Sequence, residues 1–548
     1  MDAGNRAGSP KTRRMKTFIC TLAAIAALTS IRAEPTLAQG DGTTSLVVMI
    51  VVDQLGGDLI DRHEPALTGG GFRRFLDQGY RFTQASHAHA IPETAPGHAT
   101  LATGVFPARH GMVSNGWRQR AGFDWLTVQA VSDAAYPILG YEQDESLEGR
   151  SPKYLERDGL ADWVLAADPE ARTVSISGKD RSAVPMAGHT TANVWWLLDK
   201  KGVFVTSTYY ANRYSTWMTR FNQEVMPGIA ANPVWLSEVP AEMRSLAEAD
   251  AQDYEVGGRG GSSFPHRGSN EADAPVGSED FNTWAFLTPR ADDAVLELAK
   301  TAIVQLQLGQ RASTDFLAVS FSALDEVGHR YGPLSQEVLS TLIHLDLVLA
   351  NLLEYLDQQV GEGRWVAGLA GDHGVTIPPE AARRAGNREA ERIMNSETLA
   401  DMGEALREAA SRGGSPEEIA ARLAERVEAE GLVEQAYTHH ELTLGGQPAD
   451  SFAVLFRNSH YPGRASGILS RFGVEVRFGE GDLVTSFEKG TRHESPYWAD
   501  RHIEMMWLGT GVLPGAADTP VYSVDFAPTL AGLARIPAPE DLDGRRLF

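Results

Sequence analysis

The chain has 548 residues, a formal net charge of −23, 43% hydrophobic residues and a single cysteine. An acidic field of this size disfavours nonspecific binding to nucleic acid or anionic membranes, so no nucleic-acid scaffold is expected as a partner. The length allows two or three domains, or one large core with insertions.

At the N-terminus, Lys11, Arg13, Arg14 and Lys16 precede an apolar run from Thr17 to Ile31, followed by small residues around Ala33 and Ala38. That run is too short to span a bilayer. The layout predicts a secretory signal peptide over residues 1–38, a periplasmic or secreted location, and no membrane span after cleavage. Cys20 lies inside this leader, so disulfides and thiolate catalysis are excluded from the mature chain.

Leu46 to Val52 is continuously apolar and ends in Asp53. Such runs read as strands buried on both faces, the habit of a parallel sheet. An Asp in this position also commonly caps the next helix. Phe72 to Gly79 suits a helix. In Ile91-Pro-Glu-Thr-Ala-Pro-Gly-His-Ala-Thr-Leu-Ala-Thr-Gly104, Thr94 followed by Pro96 reads as an N-cap with proline in the first turn. A hydroxyl there faces backbone N–H groups and the positive end of the helix dipole, a good place for an oxygen nucleophile attacking an anion.

A further strand is expected over Thr173 to Ser177, leading into Ser177-Gly-Lys179-Asp-Arg181, which by itself reads as a basic surface turn. An insertion is expected near 195–300, beginning at about Trp195 and carrying a Gly/Ser/Pro-rich surface loop from Gly257 to Asp280. Phe316 to Phe321 is the next buried strand, followed by Asp325-Glu-Val-Gly-His329. Residues four apart share one face of a helix. Carboxylate oxygen with imidazole nitrogen suits zinc or a similar first-row ion, although a local capping role fits such a pair equally well.

From Ser335 to Gln358 a leucine stripe marks a core helix, which makes His344 and Asp346 structural. Trp365 to Ala370 leads into Asp372-His373. Consecutive residues leaving a strand point in opposite directions, so this pair can serve two metals. Pro378 to Glu434 is rich in Ala, Glu and Arg and reads as solvent-exposed helices of a lid, within a second insertion near 378–490. His493 stands in a loop before a last strand, Ile503 to Leu508.

The expected fold is therefore α/β: a doubly wound, mainly parallel central sheet with helices on both faces and inserted cap or lid elements, spanning 39–548. Carboxylates at the strand ends lie at the carboxyl edge, where open α/β sheets build their sites.

These residues resemble the alkaline phosphatase superfamily, in particular bacterial alkaline phosphatases with a threonine nucleophile that are similar to type I phosphodiesterase/nucleotide pyrophosphatases. The resemblance rests on Val51-Val-Asp53, Thr94-x-Pro-x-His-x-Thr-Leu-x-Thr-Gly104, Asp325-x3-His329, Gly371-Asp-His-Gly374 and His493 with Ser-Pro-Tyr497. It extends to Val524-Asp-Phe-Ala-Pro-Thr-Leu530 and Asp543-Gly-Arg-Arg-Leu547. It implies two Zn2+ ions, one held by Asp325, His329 and His493, the other by Asp53, Asp372 and His373 with Thr94 bridging to it. Lys179 and Arg181 resemble the Lys-x-Arg of the monoesterase branch, and Asn115 its amide donor to the phosphoryl group. The implied activity is zinc-dependent hydrolysis of small-molecule phosphate monoesters through a phosphothreonine. A phosphodiesterase or nucleotide pyrophosphatase with the same metals is the alternative, and a noncatalytic metal-binding protein a further one. A sulfatase is disfavoured, because Thr94 stands where the cysteine or serine that matures to formylglycine would be. One departure is Glu494, where relatives commonly have glycine.

Overall fold

In a computed structural model of the chain, the apolar run Leu46–Val52 forms β1 with all seven side chains buried. The structure describes residues 43–122, 124–258, 260–269, 274–444 and 450–548. The expected signal peptide, residues 1–38, lies outside the described residues. With β1, the central sheet comprises β2 (Tyr80–Phe82), β3 (Thr173–Ser177), β4 (Val194–Leu198), β5 (Val203–Val205), β6 (Asp315–Phe321) and β7 (Trp365–Gly371). After two cap strands, β8 (Gln435–Thr438) and β9 (Val474–Arg477), the chain returns to it with β10 (Met505–Gly509) and β11 (Gly515–Ala517). The strand order is β11-β2-β10-β7-β1-β6-β3-β4-β5.

The middle of the sheet, β7-β1-β6-β3-β4, is parallel, and antiparallel β10 and β5 border it. The expected mainly parallel sheet is thus observed. Register matters most at its centre, where Val52 stands opposite both Phe321 and Gly371. Three strands therefore end at one level, and the residues that follow them emerge side by side.

Alternation along β1 explains why every residue of the run is apolar. Leu46, Val48, Ile50 and Val52 face one core; Val47, Met49 and Val51 face the other. Helices supply the outer layers: α1 (Gly71–Gln78), α2 (Thr94–Thr103), α3 (Asp180–Ala187), α4 (Arg290–Gln305), α5 (Ala323–Tyr331) and α6 (Gln336–Gln359). By length and composition α6 would suffice to cross a membrane, but Leu342, Leu345, Leu349, Leu352 and Leu356 are packed in the core. His344 pairs with Glu238 and Asp293, and Asp346 accepts the backbone N–H groups of Gly69 and Phe72 at the start of α1. Both residues are structural, as expected.

Two expectations about the insertions are corrected. Trp195 does not open an insertion: Val194–Leu198 and Val203–Val205 are strands of the central sheet, and their bulky side chains cover its edge. The helices between Pro378 and Glu434 are not simply solvent-exposed, because α7 (Asn395–Ser411) and α8 (Pro416–Ala429) are amphipathic. Met402, Ala405, Leu423, Val427, Val433 and Val474 form a separate small core beneath them. Leu423 is fully buried there. Leu423→Ala is expected to destabilise the protein by about 2–5 kcal/mol, the usual cost of emptying a leucine site. Chemical denaturation should show a lowered midpoint; an unchanged one would mean that the cap core contributes nothing to stability.

Candidate functional site

The strand ends carry the site. Asp53 follows β1, Asp325 and His329 sit in α5 just beyond β6, Lys179 follows β3, and Asp372 and His373 follow β7. Asp53, Asp325, Asp372 and His373 are buried. His373 Nε2 lies 3.3 Å from Asp53 Oδ1 and 3.4 Å from Asp372 Oδ2. His329 Nε2 lies 3.2 Å from Asp325 Oδ1, and His493 Nε2 3.8 Å from the same atom. The His373 and His493 rings stack at 3.7 Å between centroids. All six expected ligand residues are thus in one cluster.

Each of the three imidazoles is anchored the same way. Nδ1 of His329 faces the Thr491 carbonyl at 2.9 Å, that of His373 the Gly374 carbonyl at 3.0 Å, and that of His493 the Pro92 carbonyl at 2.8 Å. A carbonyl only accepts, so Nδ1 carries a proton, and in the neutral ring Nε2 keeps its lone pair on the side of the carboxylates, the arrangement that orients metal-ligating histidines. Both oxygens of Asp53, Oδ2 of Asp372 and Nε2 of His373 are buried without a hydrogen bond. Buried polar atoms rarely go unsatisfied. Hard oxygens and imidazole nitrogens converging in this way fit divalent cations.

Grouped by proximity, the ligand atoms of Asp53, Asp372 and His373 lie within 4.8 Å of one another, and so do those of Asp325, His373 and His493. The first set is the expected one. In the second, His373 stands where His329 was expected, although His329 also contacts Asp325.

Lys179 ties the carboxylates together. Its Nζ is 2.8 Å from Asp53 Oδ2 and 3.6 Å from Glu326, and it also pairs with Asp325. Burial opposes the charge on this amine, but Asp325, Asp53 and Glu326 outweigh it and raise its pKa. Burial likewise works against a charged His373, yet Asp372, Asp53 and Asp325 lift that imidazole to about 10. The basic turn is therefore buried at its first cation. Asp53 does not cap a helix; its carboxylate faces Lys179 and His373. A Cβ on Gly178 would stand 2.0 Å from Ser322 Oγ, so a larger residue there would have to displace that hydroxyl.

Thr94 is the first residue of α2 and is nearly buried. It is not the N-cap, a correction to the local reading: Glu93 holds that position with extended backbone. Two residues before Thr94, Pro92 touches His493; one turn after it, the His98 imidazole contacts Asp372 at 3.2 Å. Gly97 rests on the end of β7, where a Cβ would stand 2.2 Å from the Asp372 carbonyl oxygen. Asn115 accepts the Ala95 N–H through Oδ1 at 2.8 Å, which leaves its NH2 end to donate. Arg181 lies near Asp180 at 3.6 Å, and its Nε is buried without a partner. With Lys179 and Glu326 it borders a cavity of about 430 Å3.

Several participants were not expected. Gln54, at φ 68°, donates its N–H to Asp372 and its side-chain amide to Asp325 at 2.7 Å. It cross-links two strand ends. Its position after Asp53 was the only available signal. His98 donates from Nδ1 to the Thr94 carbonyl and accepts from Ser320 at Nε2; it stood unassigned within the threonine motif. Glu93 accepts from Ser114 and from the Asn115 N–H, and burial together with Glu494 pushes its carboxyl up to about 8. Glu494, the departure noted in the sequence, has φ 96°, a conformation that favours glycine.

A family model described as type I phosphodiesterase/nucleotide pyrophosphatase matches residues 47–467. The chain is 30% identical over 531 residues to alkaline phosphatase PhoV of Synechococcus elongatus, covering 91% of this chain and 92% of that protein. It is 28% identical over 524 residues to alkaline phosphatase PafA of Elizabethkingia meningoseptica, covering 91% and 93%. The crystal structure of wild-type PafA superposes with a TM-score of 0.82 at 26% identity, over 92% of this chain and 99% of that one. The chain belongs to the type I phosphodiesterase/nucleotide pyrophosphatase family of the alkaline phosphatase superfamily and is a phosphoesterase.

Proposed function

We propose that this phosphoesterase is an exported, zinc-dependent alkaline phosphatase acting on phosphate monoesters through a phosphothreonine. One observation carries the reading: buried carboxylates meet Lys179 and imidazole Nε2 atoms, and the start of α2, where Thr94 stands, reaches the same cluster through Pro92–His493 and His98–Asp372. Asp53, Asp372 and His373 would hold one ion, and Asp325, His329 and His493 the other. Bound zinc lowers the pKa of a coordinated hydroxyl or water and offsets charge on the phosphoryl group and leaving oxygen.

The remaining work falls to the chain. Thr94 Oγ, having lost its proton, forms a bond to phosphorus as the bond to the alcohol oxygen breaks, and the N-terminal end of α2 favours the approach of an anion. Water then cleaves the phosphothreonine, returning the threonine and releasing phosphate. Lys179, Arg181 and the Asn115 amide stabilise the nonbridging oxygens, the dominant contribution in phosphoryl transfer. A monoester carries two charges and three free oxygens, whereas a diester carries one charge and a second substituent. Two cations and an amide donor therefore favour the monoester. The alkaline phosphatase relatives support the same preference. The family description favours the second reading, a phosphodiesterase or nucleotide pyrophosphatase. Export rests on the leader layout, Lys11 to Ala38.

Thr94→Ala is expected to lower kcat on an aryl phosphate monoester by on the order of 10⁴ or more, with metal content unchanged; retained turnover would remove Thr94 as nucleophile. Lys179→Ala and Arg181→Ala should each cost on the order of a hundredfold in monoester kcat/KM and far less on a matched diester. Equal losses, or a wild-type enzyme faster on the diester, would select the phosphodiesterase reading. Dialysis against a chelator should abolish activity and zinc should restore it, while activity that survives verified metal removal would end the metal mechanism. No hydrolysis of either ester by zinc-loaded protein would favour a binding protein.

A further inference from the structure

The cap carries a second cluster of imidazole and carboxylate groups, away from the strand ends. β8 and β9 pair antiparallel with Thr438 opposite Val474, and α9 (His439–Thr443) begins directly after β8. His439 consequently emerges beside Glu475, with Nε2 2.9 Å from Oε1. α10 (Ser451–Ser459) ends at His460, whose ring centroid lies 4.1 Å from that of His439. The ligand atoms of the three residues all fall within 4.8 Å of one another.

A simple His–Glu pair would account for two of these residues and leave the third without a role. Nδ1 of His460 is buried and has no hydrogen-bond partner, an uncommon state for a ring nitrogen. The carboxylate is held from behind: Glu475 Oε2 accepts the Ser470 hydroxyl at 2.7 Å, and Ser470 Oγ accepts the Gly467 N–H at 2.7 Å. The backbone at His439 is fixed too, by its N–H to Gly473 O at 2.8 Å and by the Thr438–Glu441 capping box just before it. Supporting groups of this kind orient the ligands of metal sites.

We propose that His439, His460 and Glu475 form a metal site in the cap, holding a divalent first-row ion of the zinc class. Two imidazoles and a carboxylate are a recognised zinc set, and three protein ligands leave a fourth position for water or a small anion. His439 and Thr438 border a cavity of about 510 Å3 that also includes Arg120 and Arg471, and this gives that position access to solvent. The ion ties the starts of α9 and β9 to the end of α10.

The test is a count of tightly bound ions. The full-length protein is loaded with zinc, freed of excess by gel filtration and analysed by elemental mass spectrometry. His439→Gln and His460→Gln are each expected to bind one ion fewer than wild type and to retain monoester turnover, which also reports folding. The same ion count in either variant as in wild type would overturn the site. An independent arm uses Asp53→Ala/Asp325→Ala, which removes carboxylates from the strand-end cluster only. This variant is expected to keep an ion that is lost when His460→Gln is added, and failure to keep any ion would also overturn the proposal.

Discussion

Burying several carboxylates at one place is the constraint on which the rest of this structure depends. Asp53, Asp325 and Asp372 meet because three parallel strands end in register, and charges removed from water must be paired or must coordinate cations. That field raises the pKa values of Lys179 and His373. Gln54 is turned into left-handed backbone to satisfy two of the carboxylates at once. The fold thus assembles acidic groups that would repel one another alone, and its local irregularities are arranged around containing them.

Much of this was legible in the sequence because both faces of the central strands are buried. A run such as Leu46–Val52 or Phe316–Phe321 needs no alternation to be recognised, and the residue that ends it is placed by the strand itself. Asp315 shows the limit, since this polar residue starts β6 one position before the apolar run and is buried through bonds to the Gly309 and Arg172 N–H groups. Trp195 was misassigned because a short strand of large apolar residues next to the sheet edge does not differ in pattern from the start of an inserted module. The cap core escaped notice for a different reason: its alanines are weakly hydrophobic, and Ala/Glu/Arg composition hides which helix face is buried.

Side chains that act through tertiary contact were the hardest to read. His98, Glu93 and Gln54 lie beside recognised residues, but their partners, Ser320, Ser114 and Asp325, are supplied by other segments. His439, His460 and Glu475 are separated by 21 and 15 positions of chain and share no short motif. Their convergence follows from the β8–β9 pairing, which no local period announces.

Gly97 lets α2 rest directly on the backbone of Asp372, and this close seating has a mechanical consequence. The backbones that carry Thr94 and Asp372 meet directly, main chain against main chain rather than through adaptable side chains. Motion that lifts one backbone segment must displace the other, so the spacing of helix and strand end is fixed by main-chain packing. A residue larger than glycine at position 97 would therefore separate the helix that carries Thr94 from the strand end that leads to Asp372.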